Sequence, residues 1–99
     1  MSYASVLKPD LFAGHTVVVT GGGSGIGRCT AHELAALGAH VVVTGRTQSK
    51  LDTVVGEIID DGGAASAQAF DIRDDDAVKA AIQAIVTARG AIHGLVNNA

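Results

Sequence analysis

The sequence predicts an α/β fold, in which a parallel β-sheet carries helices on both faces. Short apolar runs rich in Val, Ile and Leu alternate with segments of helical periodicity, and the connections between them are short. Hydrophobic residues make up 47% of the 99 residues but only 3% are aromatic, which is typical of strands that helices bury on both sides. A chain of this length forms one small domain at most.

The first half of the chain predicts two strands and the helix between them. An apolar strand is expected over residues 16–20, followed by a helix over residues 26–37. Gly38 stands where a glycine ends a helix, and a buried strand at residues 41–43 ends at Gly45. The residues expected on the apolar face of the helix are Ile26, Thr30, Leu34 and Leu37.

The second half predicts two further helices, each followed or preceded by a strand. Thr47 is expected to cap a helix that Gly62 and Gly63 end, and the acidic residues 74–76 open another that ends at Gly90. The apolar stripes of these helices are Leu51, Val54, Val55, Ile58 and Ile59 in the first, and Val78, Ala81, Ile82 and Ile85 in the second. The strands are expected at residues 65–70, where the pattern is weaker, and at residues 92–96.

A glycine-rich segment joins the first strand to the first helix. It is Thr20-Gly21-Gly22-Gly23-Ser24-Gly25-Ile26-Gly27. Gly21 can take a positive φ for the turn, Gly25 lets the chain pass close to phosphate oxygens, and Gly27 lets the helix pack closely on the strand. The amide groups and positive dipole end of the helix then point at an anion. A glycine-rich loop without function is the alternative, and the strand before and helix after argue against it.

The order of strands follows from the handedness of the connections. Right-handed crossovers place the first three strands in the order 3-2-1, and in dinucleotide-binding sheets the fourth returns beside the first. The expected order is therefore 3-2-1-4, one half of a doubly wound, Rossmann-type fold that is incomplete on its carboxyl-terminal side. A ligand is expected in the crevice where the order reverses, beside the glycine loop and Asn97.

Composition excludes several other classes of function. The net charge is −3, so the chain has no basic surface for nucleic acid or anionic lipid. Residues 1–9 lack the apolar core of a secretory signal, and no apolar run reaches the length of a membrane span. Cys29 is the only cysteine and is expected to be a small packed residue. Because a single cysteine cannot form an internal disulfide and suits a reducing compartment, we expect a cytoplasmic location. No metal site is expected from the scattered histidines His15, His32, His40 and His93.

The residues after the second strand bear on the choice of cofactor. NAD-binding folds place Asp or Glu there to hold the ribose 2′-hydroxyl, but this stretch has no acid. Arg46 offers a guanidinium suited to a 2′-phosphate, and Thr47, Ser49 and Lys50 add donors at a helix start. The sequence thus favours NADP(H) over NAD(H). The alternative is that Arg46 is a solvated surface arginine.

Asp71 and Ile72 follow the third strand, at the mouth of the same crevice. The carboxylate can accept from an adenine amine and Ile72 can contact the ring. A loop aspartate that caps the next turn is an equally plausible interpretation of Asp71. The acidic residues 74–76 are interpreted as helix-start residues that complement the dipole.

Taken with the residues Asn97-Asn98-Ala99, these motifs resemble the short-chain dehydrogenase/reductase family. Its Thr-Gly-x-x-x-Gly-x-Gly pattern is met in full, and its Asn-Asn-Ala-Gly motif is met up to the last residue. The resemblance implies that the glycine loop binds the diphosphate, that the acid after strand three meets adenine, and that the Asn motif steadies the central strands. Within the family, the chain is similar to enoyl-CoA and 2,4-dienoyl-CoA reductases and to citronellol-type dehydrogenases. The candidate cofactor-binding residues are Gly21, Gly23, Ser24, Gly25, Ile26, Gly27, Arg46, Thr47, Asp71, Ile72, Asn97 and Ala99.

The resemblance also implies what this chain lacks. The family's catalytic Ser and Tyr-x-x-x-Lys lie downstream of its Asn motif, so no catalytic residue is expected among residues 1–99. We expect an NADP-dependent oxidoreductase when the protein is full length, acting on a small molecule through its carboxyl-terminal half and forming a dimer or tetramer. Alone, the 99 residues should be inactive and prone to self-association along strand four. A non-catalytic nucleotide-binding module is the alternative, and a pure assembly element leaves the glycine loop unexplained.

Overall fold

A computed structural model of the chain describes residues 10–97, so the predictions for residues 1–9, Asn98 and Ala99 lie outside the described part. Strands and helices alternate along it as the sequence predicts. They are β1 (Thr16–Thr20), α1 (Gly25–Ala36), β2 (His40–Gly45), α2 (Gln48–Asp60), β3 (Ala64–Ala69), α3 (Asp75–Arg89) and β4 (Gly94–Asn97).

The four strands form one parallel sheet in the order β3-β2-β1-β4, which confirms the predicted topology. Thr20 is in register with Thr44 of β2 and with Asn97 of β4, and Gly45 with Ala69 of β3. The carboxyl ends of all four strands therefore lie at one edge of the sheet, where the order of strands reverses.

Helices cover both faces, as predicted. Alternate residues of β1 and β2 pack against α1 and α2 on one side, while Val18 and Val42 pack against Ile85 of α3 on the other. Because side chains alternate between faces along a strand, a strand between two helical layers must be apolar throughout. All five residues of β1 are buried for this reason.

The predicted apolar face of α1 is confirmed for Leu34, which packs against the core, and for Leu37, and it is wrong for Ile26. Ile26 is 75% exposed, Thr30 and Leu34 are half-buried, and of the four only Leu37 is buried. The buried residues of the helix are Gly27, Ala31, His32 and Ala35. Ala31 and Ala35 pack in the core with β1 and β2, whereas His32 contacts Glu57 of α2. Small side chains allow the helix to lie close to β1 and β2, so larger apolar residues turn to its flanks. Cys29 is exposed rather than packed, since it lies away from this buried face.

A charged cluster joins α1 to α2. The guanidinium of Arg28 donates to both carboxylate oxygens of Glu57, with an Nε–Oε1 distance of 2.9 Å. The buried ring of His32 lies 3.0 Å from Glu57 Oε1 and 3.9 Å from Asp61 Oδ2. The hydrogen bonds from Arg28 and then from His32 lower the pKa of Glu57. The cluster thus holds the two helices on this face together.

The helix starts and ends agree with the predictions in part. The carboxylate of Asp74 accepts from the amides of Asp76 and Ala77, which makes it the cap of α3. Gly90 ends that helix with a φ of +87°. Thr47 occupies the cap position of α2, but its side chain makes no capping hydrogen bond there.

One side of the described sheet is partly uncovered. Leu95 of β4, an edge strand of this sheet, is 65% exposed, and Ile82 and Val86 of α3 are 47% and 37% exposed. An apolar edge strand of this kind is prone to pair with another chain. None of the helices within residues 10–97 has the length and apolar character that crossing a membrane requires.

Candidate functional site

A crevice opens at the carboxyl ends of β1, β2 and β3. Its larger part, of about 400 Å³, is lined by Thr20, Gly21, Thr44, Gly45, Arg46, Phe70, Asp71, Ile72 and Arg73. A smaller part, of about 140 Å³, is lined by Gly21, Gly23, Ser24, Gly45, Arg46, Thr47, Lys50 and Leu51. The two parts share Gly21, Gly45 and Arg46, so they form one continuous site. The loops that follow three neighbouring strands supply its walls.

The glycine loop forms one wall and turns as predicted. Gly21 and Gly25 have φ values of +66° and +58°, a region that side-chain-bearing residues rarely adopt. Gly27 is buried in the first turn of α1. These positive φ values direct the backbone of the loop around the end of β1.

Gly22 is a steric requirement that the sequence analysis missed. A Cβ at this position would lie 2.8 Å from both Cβ and Cγ1 of Val43 and 3.2 Å from the carbonyl oxygen of Val19. Its amide donates to the carbonyl of Thr44, with an N–O distance of 3.2 Å. The loop therefore rests directly on β2. The sequence feature that could have predicted this contact is the run of three consecutive glycines, which would lie beside a buried strand of valines.

The amino terminus of α1 faces the loop without a side-chain cap. Ser24 is at the cap position with an extended backbone, and its side chain makes no capping hydrogen bond. The first turn of α1 contains no acidic residue. The first amides and the positive dipole end are thus available to an anion. Ile26, a predicted site residue, projects into solvent beside this end.

Cationic side chains flank the smaller part of the crevice. Arg46 follows β2 directly, is exposed, and lines both parts of the site. Lys50, in the first turn of α2, lines the smaller part together with Thr47. The geometry brings together a guanidinium, an ammonium and helix amides, all of which bind phosphate oxygens.

Asp71 lies at the mouth of the larger part and is paired with Arg73. The amide and Nε of Arg73 donate to Asp71 Oδ1 at 3.0 and 3.1 Å, and its Nη2 donates to Oδ2 at 2.9 Å. These bonds, with a smaller effect from the charge of Arg46, lower the pKa of Asp71 to about 2. Asp71 therefore does cap its own turn, as the alternative interpretation held, while its carboxylate still lines the crevice.

Arg73 is the second site residue that the sequence analysis missed. Its signal was its position two residues after Asp71, where an Asx turn brings the following side chain back to the carboxylate. Phe70 and Ile72 supply apolar surface in the same part of the crevice.

Asn97 lies on the other side of β1. Its Oδ1 accepts from the hydroxyl of Thr20 at 3.1 Å, which ties the ends of β1 and β4 together. Both residues line a further hollow of about 130 Å³ between the sheet and α3, which is largely apolar. Ala99 lies outside the described residues, and no cluster within residues 10–97 could hold a metal ion.

The arrangement suits a long ligand with two kinds of end. Phosphate groups fit the helix amides and the cations, and a flat ring with an amine fits Ile72, Phe70 and the carboxylate of Asp71.

Comparisons with known proteins agree with this geometry. The family model for short chain dehydrogenase matches residues 15–99. A citronellol catabolism dehydrogenase (AtuB) of Pseudomonas aeruginosa PAO1 has a structure 60% identical in sequence, with a TM-score of 0.93 over 96% of this chain and 40% of that one. A metagenomic short-chain oxidoreductase in complex with NADP is 42% identical, with a TM-score of 0.86 over 88% of this chain and 39% of that one.

A curated relative extends the comparison. A probable 2,4-dienoyl-CoA reductase of Bacillus subtilis (strain 168) is 40% identical over 83 residues, which is 84% of this chain and 33% of that protein. The chain spans about a third of the length of the first curated relatives it matches.

Proposed function

The chain belongs to the short-chain dehydrogenase family and corresponds to the amino-terminal portion of its members, and from this we propose that it is the NADP(H)-binding part of a longer oxidoreductase. The full-length protein transfers a hydride between the nicotinamide and a small-molecule substrate. Its catalytic Ser and Tyr-x-x-x-Lys are expected downstream of Ala99. The expected cytoplasmic location and homo-oligomeric state remain predictions.

One observation carries the choice of NADP(H). Arg46 lies at the junction of the two parts of the crevice, beside Thr47 and Lys50, and no acidic residue follows β2 to hold a ribose 2′-hydroxyl. The uncapped end of α1 would hold the diphosphate, and the guanidinium of Arg46 would hold a phosphate on the adenosine ribose. The guanidinium can donate two parallel hydrogen bonds to two oxygens of a phosphate monoester on that ribose. Ile72 would supply apolar surface to the adenine, and the carboxylate of Asp71 would accept from its amine.

The substrate class is proposed from the relatives. One relative is named a citronellol catabolism dehydrogenase and another a probable 2,4-dienoyl-CoA reductase. We therefore propose a carbonyl or alcohol, or an enoyl thioester, as the group that exchanges hydride. When bound, the nicotinamide supplies or accepts the hydride, while the residues of this chain hold the cofactor and position it.

The test uses the full-length protein and the variant Arg46→Asp. Dissociation constants for NADPH and NADH are measured by titration of nicotinamide fluorescence. Loss of charge-assisted hydrogen bonds to the 2′-phosphate should weaken NADPH binding by roughly ten- to a hundredfold relative to NADH. Arg89→Ala, which removes a cation from the end of α3 rather than from the crevice, is the matched control. Equal affinities of the wild type for the two nucleotides would refute the NADP(H) proposal.

A non-catalytic nucleotide-binding module would use the same crevice. The phosphate-binding and ring-binding groups of the crevice suit a nucleotide that is bound without reaction equally well, which is the observation behind this second function. Turnover of any alcohol or enoyl thioester by the full-length protein would exclude it, and nucleotide binding without turnover across both substrate classes would favour it.

A further inference from the structure

Two arginines act on one carboxylate at the mouth of the crevice. Arg73 holds Asp71 through three hydrogen bonds of 2.9 to 3.1 Å. Arg46 acts on the same carboxylate through its charge, and all three residues line the same 400 Å³ part of the site. The carboxylate is thus shared unequally, because Arg73 is hydrogen-bonded to it whereas Arg46 acts on it through charge within the same crevice.

The unequal sharing matters because Asp71 and a phosphate would compete for Arg46. A carboxylate without a partner attracts the nearest free guanidinium and repels a phosphate, and both effects lower the affinity of that guanidinium for an anionic ligand. Arg73 removes the competition by engaging both oxygens of Asp71 in a bidentate pair with its own turn. Arg46 then keeps its side chain in the crevice.

We propose that Arg73 determines cofactor specificity as a positioning residue, by neutralising Asp71 so that Arg46 stays available to a phosphate monoester on the ribose. The inference rests on the proposed function of the crevice and goes beyond it, because Arg73 itself need not touch the cofactor. Asp71 is left with free lone pairs on Oδ2, which remain open to an adenine amine.

The exposure of the pair makes the proposal testable. The side chains of Arg73 and Asp71 are 76% and 38% exposed. Exposed ion pairs contribute little to folding, so removal of Arg73 should leave the fold intact and change ligand binding. An aspartate with its ordinary pKa is ionised at neutral pH, so the loss of Arg73 leaves an unpaired negative charge in the crevice that Arg46 lines.

The experiment compares NADPH and NADH binding by the full-length wild type, Arg73→Ala, and the double variant Arg73→Ala/Asp71→Asn. We expect Arg73→Ala to weaken NADPH binding roughly three- to tenfold more than NADH binding. The added Asp71→Asn change should restore the wild-type ratio, because an uncharged amide does not draw Arg46 away. Arg89→Ala is again the control for loss of a cation.

Each outcome separates this inference from the proposed function. If the wild type has no preference for NADPH, the proposed function fails and the inference fails with it. If the wild type prefers NADPH but Arg73→Ala weakens both nucleotides equally, Arg73 only shapes its loop and the inference is overturned while the proposed function stands. A selective loss that Asp71→Asn does not reverse also overturns it, since the role assigned to the carboxylate would be wrong.

Discussion

Substitution of Gly22 by alanine is the sharpest test of how the glycine loop is supported. The added Cβ would be placed 2.8 Å from Cβ and Cγ1 of Val43 and 3.2 Å from the carbonyl oxygen of Val19. Val43 is fully buried, and since the backbone sets the position of its Cβ, no change of rotamer removes the overlap there. The loop must therefore move away from β2.

The magnitude follows from that displacement. Insertion of one methyl group into a closely packed site costs about 1–3 kcal/mol of unfolding free energy. The movement also stretches the hydrogen bond between the Gly22 amide and the Thr44 carbonyl, which is 3.2 Å long in the structure. Because the same loop leads into α1, the amides that face the crevice shift too. We expect nucleotide affinity to fall by roughly tenfold, the equivalent of one hydrogen bond to a charged group.

The assay is chemical denaturation of the full-length protein, with nucleotide titration of the same samples. Gly56→Ala is the matched control, because Gly56 lies inside α2 and a Cβ there would have nothing within 4 Å. That substitution should be neutral or stabilising by up to about 1 kcal/mol. If Gly22→Ala unfolds and binds nucleotide as the wild type does, the close approach of the loop to β2 is refuted.

Two further predictions concern histidines at the opposite edge of the sheet. His93 Nδ1 accepts from the buried amide of Thr16 at 2.9 Å, so His93→Ala should lower the free energy of unfolding by about 1–3 kcal/mol in a denaturant titration. His93→Asn keeps an acceptor and should recover part of that loss. Equal stability of the two variants would contradict this role. Burial, and then the charge of Arg89, lower the pKa of His40 below its ordinary value of 6.5. The unfolded chain therefore takes up this proton first, so stability should decline as pH falls below about 6.5, and His40→Asn should make that decline shallower, which denaturation at pH 7 and pH 5 would check.

The topology was predictable from the sequence because few alternatives exist. Short apolar runs at residues 16–20 and 41–43, bounded by glycine, indicated strands buried on both faces. Handedness then gave the order of the first three strands, and the pattern of dinucleotide-binding sheets gave the place of the fourth. The ends were less accurate. The fourth strand begins at Gly94 rather than at residue 92, because the residue before it pairs with Thr16 through both its amide and its ring. Such a ring-to-backbone bond has no signature in hydropathy.

The face of α1 was only partly predictable from hydropathy, for a different reason. A periodic search favours large apolar residues such as Ile26, whereas close packing on a parallel sheet selects small ones such as Ala31. His32 is buried because Glu57 is within hydrogen-bond distance on the neighbouring helix, a partner far away in sequence. Pairings of this kind depend on tertiary structure, and single-sequence patterns do not contain them.

The residues of the candidate site also divide into those that their position in the sequence predicts and those that only a tertiary contact reveals. Positions such as Arg46 and Asp71 were found because they come directly after strands, and all such positions meet at one edge of a parallel sheet. Gly22 and Arg73 were missed because their importance lies in a neighbour's atoms, the Val43 side chain in one case and the Asp71 carboxylate in the other.

The two walls of the crevice differ in what holds the ligand, and this difference has an engineering consequence. One wall is peptide backbone shaped by Gly21 and its neighbours, while the other consists of the interchangeable groups of Arg46 and Asp71. Under the proposed function, substitutions in the second wall should change which nucleotide is preferred without altering the proposed diphosphate site. Substitutions in the first wall should affect stability as well as binding, because this loop both rests on β2 through Gly22 and leads into the first amides of α1.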